Sequence, residues 1–118
     1  MAVTVLIVDD HPSFRASART LLEAEGYDVI GEAENGETAV EAARELHPAL
    51  VLLDVQLPGI DGFAVAYQLR KLEDPPIVIL TSSRDGADYG PCIGECGAHG
   101  FVPKAELSGA AIAAFLMP

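Results

Sequence analysis

Short apolar runs alternate with amphipathic stretches along most of this chain. Val3-Thr4-Val5-Leu6-Ile7-Val8, Leu50-Val51-Leu52-Leu53 and Ile77-Val78-Ile79-Leu80 show almost no polar alternation. That is the pattern of strands covered on both faces, as in a parallel sheet between helices. Tyr27 to Ala33, centred on Val29 and Ile30, reads as a weaker second strand, and Gly100-Phe101-Val102 as a short fifth.

The stretches between them carry helix signals. Pro12 suits a first helical turn, where its missing N–H would have no partner. Phe14, Ala18, Leu21 and Leu22 then recur at helical spacing until Gly26 ends the run. Asn35 is a cap for a helix with Ala39, Val40, Ala43 and Leu46 on its apolar face, broken at His47-Pro48. Asp61 caps another, carrying Phe63, Ala66, Tyr67 and Leu69. Asp74-Pro75-Pro76 is a stiff connector, and Ser108 caps an alanine-rich helix with Ile112, Phe115 and Leu116. The glycines between Arg84 and Gly100 make a poor helix, so a short or irregular one is expected there. Five strands alternating with five helical segments predict an α/β fold: a doubly wound five-stranded parallel sheet with right-handed crossovers. The flavodoxin-like order 2-1-3-4-5 is the natural candidate, with its switch point between strands one and three.

Composition narrows the partners. The 118 residues suffice for one domain with one core, aliphatic because there is no tryptophan. Eighteen acids against seven Lys and Arg give a formal charge of −11. Phosphate backbones would repel such a surface, so no direct nucleic-acid contact is expected of this domain. No run is long enough to span a bilayer and no charged-then-apolar leader precedes the first strand, so the expected location is cytoplasmic, with no membrane partner. Cys92 and Cys96, even with His99 nearby, do not match a familiar zinc spacing and read as small free thiols.

The chemistry lies where the apolar runs stop. The first strand ends in Asp9-Asp10; the third ends in Asp54, just before the Pro58-Gly59 turn. In the order 2-1-3-4-5 these acids leave neighbouring strands at one edge, where open parallel sheets bind ligands. Three close carboxylates raise one another's pKa unless a cation neutralises them. Oxygen ligands of this kind favour a hard ion, Mg2+ rather than zinc. Thr81 after the fourth strand adds a hydroxyl, and Lys104 after the fifth adds an ammonium. Singly, each has a plainer reading: an acidic helix start, a turn threonine, a solvated lysine. Together they equip the edge for phosphoryl transfer onto Asp54. A metal-dependent phosphatase would want a second acid two residues after its nucleophile, where this chain has Gln56.

Val8-Asp9-Asp10, Leu53-Asp54 with Pro58-Gly59 and Asp61-Gly62, Leu80-Thr81-Ser82 and Gly100-Phe101-Val102-Pro103-Lys104 together resemble the receiver domain of two-component response regulators. The resemblance covers essentially residues 1–118, with the motifs in the family's order. It implies a phosphorelay switch in which Asp54 takes a phosphoryl group from a phosphohistidine on a sensor histidine kinase. Asp10, Asp54 and the backbone carbonyl of Gln56 would hold Mg2+ directly, with Asp9 helping through water. Lys104 would contact the phosphoryl oxygens; Thr81 and Phe101 would be the coupled switch pair. The protein would be a signalling phosphoacceptor, not an enzyme acting on a free substrate. A homodimer on phosphorylation is allowed for, and a DNA-binding output would have to lie beyond this sequence. Two departures stand out. The Thr81–Lys104 spacing is one residue longer than usual, leaving Ser82 as the alternative switch hydroxyl, and Ala105 stands where many receivers have proline. The rival reading is a phosphorylation-independent, receiver-like dimerisation or docking module.

Overall fold

The computed structural model describes residues 3–83 and 95–116. Its strands are β1 (Thr4–Val8), β2 (Asp28–Ala33), β3 (Leu50–Asp54), β4 (Ile77–Ser82) and β5 (Gly100–Pro103). All neighbours pair in parallel, in the order β2-β1-β3-β4-β5, which is the expected flavodoxin-like arrangement. The helices are α1 (Pro12–Ala24), α2 (Gly36–Leu46), α3 (Gly62–Arg70) and α4 (Gly109–Leu116), with a 3-10 turn over Lys104–Glu106. Most of the segment expected to be an irregular helix, together with Cys92, lies outside the described residues.

The pleat divides the core into two. Leu6, Val8, Val51, Leu53, Val78 and Leu80 face α2 and α3, packing on Ala39, Ala43, Val65, Ala66 and Leu69. Val5, Ile7, Leu50, Leu52 and Ile79 face the other way, onto Ala18 and Leu22 of α1 and Ile112 of α4. With helices on both faces, β3 has no polar face, which is why its sequence shows no alternation.

The caps form where the residue types demanded them. The Asn35 carboxamide oxygen accepts the Thr38 N–H at 2.9 Å, the Asp61 carboxylate accepts the Ala64 N–H at 2.9 Å, and Ser108 Oγ accepts the Ala111 N–H at 3.0 Å. Gly26 adopts φ +95° after α1, and His47 closes α2 in the left-handed region at φ 50°.

Helix faces were less well anticipated. Tyr67 is 43 % exposed, and α3 buries Gly62, Val65, Ala66 and Leu69 instead. The Tyr67 ring is covered by its own helix end, with Arg70 at 5.2 Å and Lys71 at 4.2 Å from its centre. Leu46 and Phe115 are also partly exposed, each lying over a glycine of an edge strand, Gly31 and Gly100 respectively. Cys96 is buried and forms no disulfide. His99 is engaged through Nδ1, which accepts the Val78 N–H at 3.0 Å, so this nitrogen is not open to a metal. No described helix is long and apolar enough to cross a membrane.

Candidate functional site

Parallel register builds the site. Val8 pairs with Leu53 and Asp54 pairs with Thr81, so the residues following β1 and the ends of β3 and β4 share one edge. The apolar runs bury the first acid that follows each of them: Asp9 has no exposed surface and Asp54 is 2 % exposed. Asp10, one residue further, emerges at the surface. Ligand atoms of Asp9, Asp10, His11 and Asp54 all lie within 4.8 Å of one another.

Charge compensation inside this cluster is incomplete. Lys104 Nζ sits 2.7 Å from Asp9 Oδ2 and 3.4 Å from Asp54 Oδ2, so its ammonium bridges the two buried carboxylates. Asp9 Oδ1 accepts the backbone N–H of His11 at 2.8 Å. The His11 ring approaches both acids of its strand end, with Nδ1 2.9 Å from Asp9 Oδ1 and 3.1 Å from Asp10 Oδ1. Asp54 Oδ1 accepts the N–H of Gln56 at 3.1 Å. Burial pushes the Asp54 carboxyl up to about 6, with the Asp9 charge adding to the rise; the Gln56 N–H and Lys104 only partly oppose them. Three carboxylates and one ammonium leave a deficit of positive charge, so a small divalent cation fits the donor set.

Two further features frame Asp54. Gly62 donates its N–H to Val55 O at 2.8 Å, and a Cβ there would lie 2.3 Å from Asp54 O and 2.7 Å from Val55 Cα. Glycine at 62 therefore lets α3 start against the backbone of Asp54 and Val55. Thr81 Oγ1 is fully buried and has no hydrogen-bond partner among the described residues, an arrangement that normally costs free energy unless a ligand completes it.

Of the residues singled out from sequence, the structure gathers Asp9, Asp10, Asp54, Thr81 and Lys104 at one edge. Gln56 contributes its N–H to Asp54 and is otherwise exposed. Ser82 is buried too, but it follows Thr81 on the opposite face of the pleat and pairs with Pro103 rather than with Asp54. Phe101 lies opposite Leu80 and packs toward the α2–α3 side, while Val102 lies opposite Thr81. The Lys104–Ala105 peptide is trans, as are all described peptides. Sequence reasoning missed His11, whose place beside Asp9-Asp10 at a helix start was the available signal. It also missed Phe14, whose ring centre lies 4.4 Å from Lys104 Nζ and which helical spacing marked only as core.

Comparison with known proteins places this geometry in a family. A model of the response regulator receiver domain matches residues 5–114, and the chain belongs to that family. It is 43 % identical over 103 residues to BvgA of Bordetella pertussis, named as a positive transcription regulator of virulence factors; the match takes in 86 % of this chain and 49 % of BvgA. A LuxR-family two-component response regulator from Aurantimonas sp. SI85-9A1 superposes with a TM-score of 0.87 at 30 % identity, covering 98 % of this chain and 86 % of that one. The signal receiver domain of a NarL response regulator from Mycobacterium tuberculosis gives 0.86 at 34 % identity, covering 99 % and 98 %. The chain spans about half the length of the curated relatives it matches.

Proposed function

We propose that residues 1–118 act as the phosphoacceptor unit of a two-component phosphorelay, with Asp54 as the acceptor. A carboxylate oxygen of Asp54 attacks the phosphorus of a phosphohistidine on a sensor histidine kinase. The P–N bond breaks, and the imidazole leaves with the bonding pair. The reading rests on one observation: the Asp54 carboxylate is buried beside an ammonium and opposite a buried hydroxyl that has no partner among the described residues.

Asp10, Asp54 and the Gln56 carbonyl would hold Mg2+, with Asp9 assisting. The ion would supply charge neutralisation for the incoming phosphoryl oxygens. Lys104 is placed to turn from the two carboxylates toward those oxygens, and Thr81 Oγ1 gains in them the acceptor it lacks. Phosphorylation adds nearly two negative charges, and contacts of a few kcal/mol that exist only in the phosphorylated state shift a two-state equilibrium. Phe101, beside Leu80 on the neighbouring strand, would follow the Thr81 movement. The pleat favours Thr81 over Ser82 as the switch hydroxyl, because Thr81 shares the face of its register partner Asp54.

The test is mass spectrometry after incubation with Mg2+ and acetyl phosphate. One phosphoryl group is expected on the wild type and none on Asp54→Ala. Full labelling of that variant would remove the assignment, and an unlabelled wild type would favour the docking-module reading. Output, if it resembles that of relatives such as BvgA, would pass to sequence beyond this chain or through a phosphorylation-dependent dimer.

A further inference from the structure

The Lys104 ammonium has three neighbours: Asp9 Oδ2 at 2.7 Å, Asp54 Oδ2 at 3.4 Å and the Phe14 ring, its centre 4.4 Å from Nζ. Phe14 is the third residue of α1, in the first turn, close to the His11 N-terminus that seats the helix on Asp9. The ring is only partly buried, at the rim of the cluster that includes Leu21, Leu107 and Leu116. The Lys104 side chain keeps 17 % exposure. A lysine stem has four rotatable bonds and a strongly hydrated head, so two carboxylates alone leave the ammonium free to swing toward solvent. An aromatic face beside the ammonium adds a third contact, and its quadrupole attracts the cation where an aliphatic side chain would only exclude water.

We propose that Phe14 is a positioning residue for Lys104: its ring fixes the ammonium over the Asp9–Asp54 pair and keeps it within reach of a phosphoryl group on Asp54. The geometric half stands on these contacts alone, while the catalytic half rests on the phosphoacceptor reading. A plain core role for Phe14 makes a different prediction, because leucine would serve there nearly as well as phenylalanine.

The experiment uses the whole chain, with wild type compared to Phe14→Leu and Phe14→Trp after circular dichroism shows each folded. In a proton–carbon correlation spectrum the Lys104 ε-methylene protons should lie upfield in wild type through the ring current. They should move downfield in Phe14→Leu and remain shielded in Phe14→Trp. Lys71, over Tyr67, serves as the internal control that should not move. With Mg2+ and acetyl phosphate, Phe14→Leu should label about 3- to 10-fold more slowly, and Phe14→Trp at or above the wild-type rate, following the cation–π ranking. An unshifted Lys104 signal in wild type overturns the proposal, as does a Leu variant that labels like wild type. If wild type takes no phosphoryl group, the phosphoacceptor reading fails on its own, and the ring-current shift alone upholds or overturns the placement of Lys104 by Phe14.

Discussion

Replacing Asp54 by asparagine should make the metal-free protein more stable, and the structure sets the size of the effect. In the folded chain the Asp54 carboxyl is pushed up to about 6 from 3.8, mainly by burial and then by the neighbouring Asp9 charge. At pH 4 to 6 the unfolded chain has lost this proton while the folded chain still holds it. The folded state then binds more protons, so this group's contribution to stability falls as pH rises, and the loss is complete above about 6. At about 1.4 kcal/mol for each tenfold change in proton affinity, the full cost is at most about 3 kcal/mol. The amide also loses the attraction of the Lys104 ammonium 3.4 Å away, so about 1.5 kcal/mol is the working figure. For a chain of this size that is a rise of about 5 °C in Tm. The assay is thermal unfolding in chelator at pH 4.5 and 7.5, comparing wild type with Asp54→Asn. The difference between the two proteins should be small at pH 4.5 and open to about 5 °C at pH 7.5. Mg2+ at pH 7.5 should raise the wild-type Tm more than that of the variant, because the ion relieves the repulsion that the substitution removes. A variant less stable than wild type at pH 7.5, or an equal difference at both pH values, would refute the account of a strained Asp54 carboxylate.

Other substitutions probe the same edge. Lys104→Ala strips the ammonium from a fully buried Asp9 and should cost about 3 kcal/mol in metal-free urea unfolding, with Mg2+ recovering part of the loss; no loss in chelator would mean the bridge seen here does not stabilise the fold. Gly62→Ala places a methyl 2.3 Å from Asp54 O. It should therefore cost about 2 kcal/mol or more and slow labelling at Asp54, an expectation that wild-type stability and labelling would contradict. Mg2+ affinity, followed by the metal-induced rise in Tm, should weaken below about pH 6 as Asp54 takes up its proton. An affinity unchanged down to pH 5 would place the ion away from this carboxylate.

Much of this fold was legible because its signals are local. Leu50 to Leu53 has no polar alternation, so it had to be covered on both faces, and the acid that follows had to fall at the strand end. Asn35, Asp61 and Ser108 cap helices because short polar side chains satisfy the orphan N–H groups of a first turn wherever they stand. The faces of α3 were not legible in the same way: Phe63, Ala66, Tyr67 and Leu69 fit helical spacing as well as the buried Val65, Ala66 and Leu69 do. Only the sheet chose between them, leaving Tyr67 beside Arg70 and Lys71.

The site divides along the same line. Which polar residues gather at this edge follows from composition at four strand ends, a property each strand has by itself. How charged the site is, and what holds it, follows from register: Asp54 meets Thr81 because β3 and β4 pair one way and not one residue off. Lys104 reaches Asp9, and Phe14 covers Lys104, across separations of 95 and 90 residues that no local pattern encodes. Hydrophobic periodicity specifies a face and an end, whereas pair distances depend on how several such faces dock together, and that is settled only when the whole core closes.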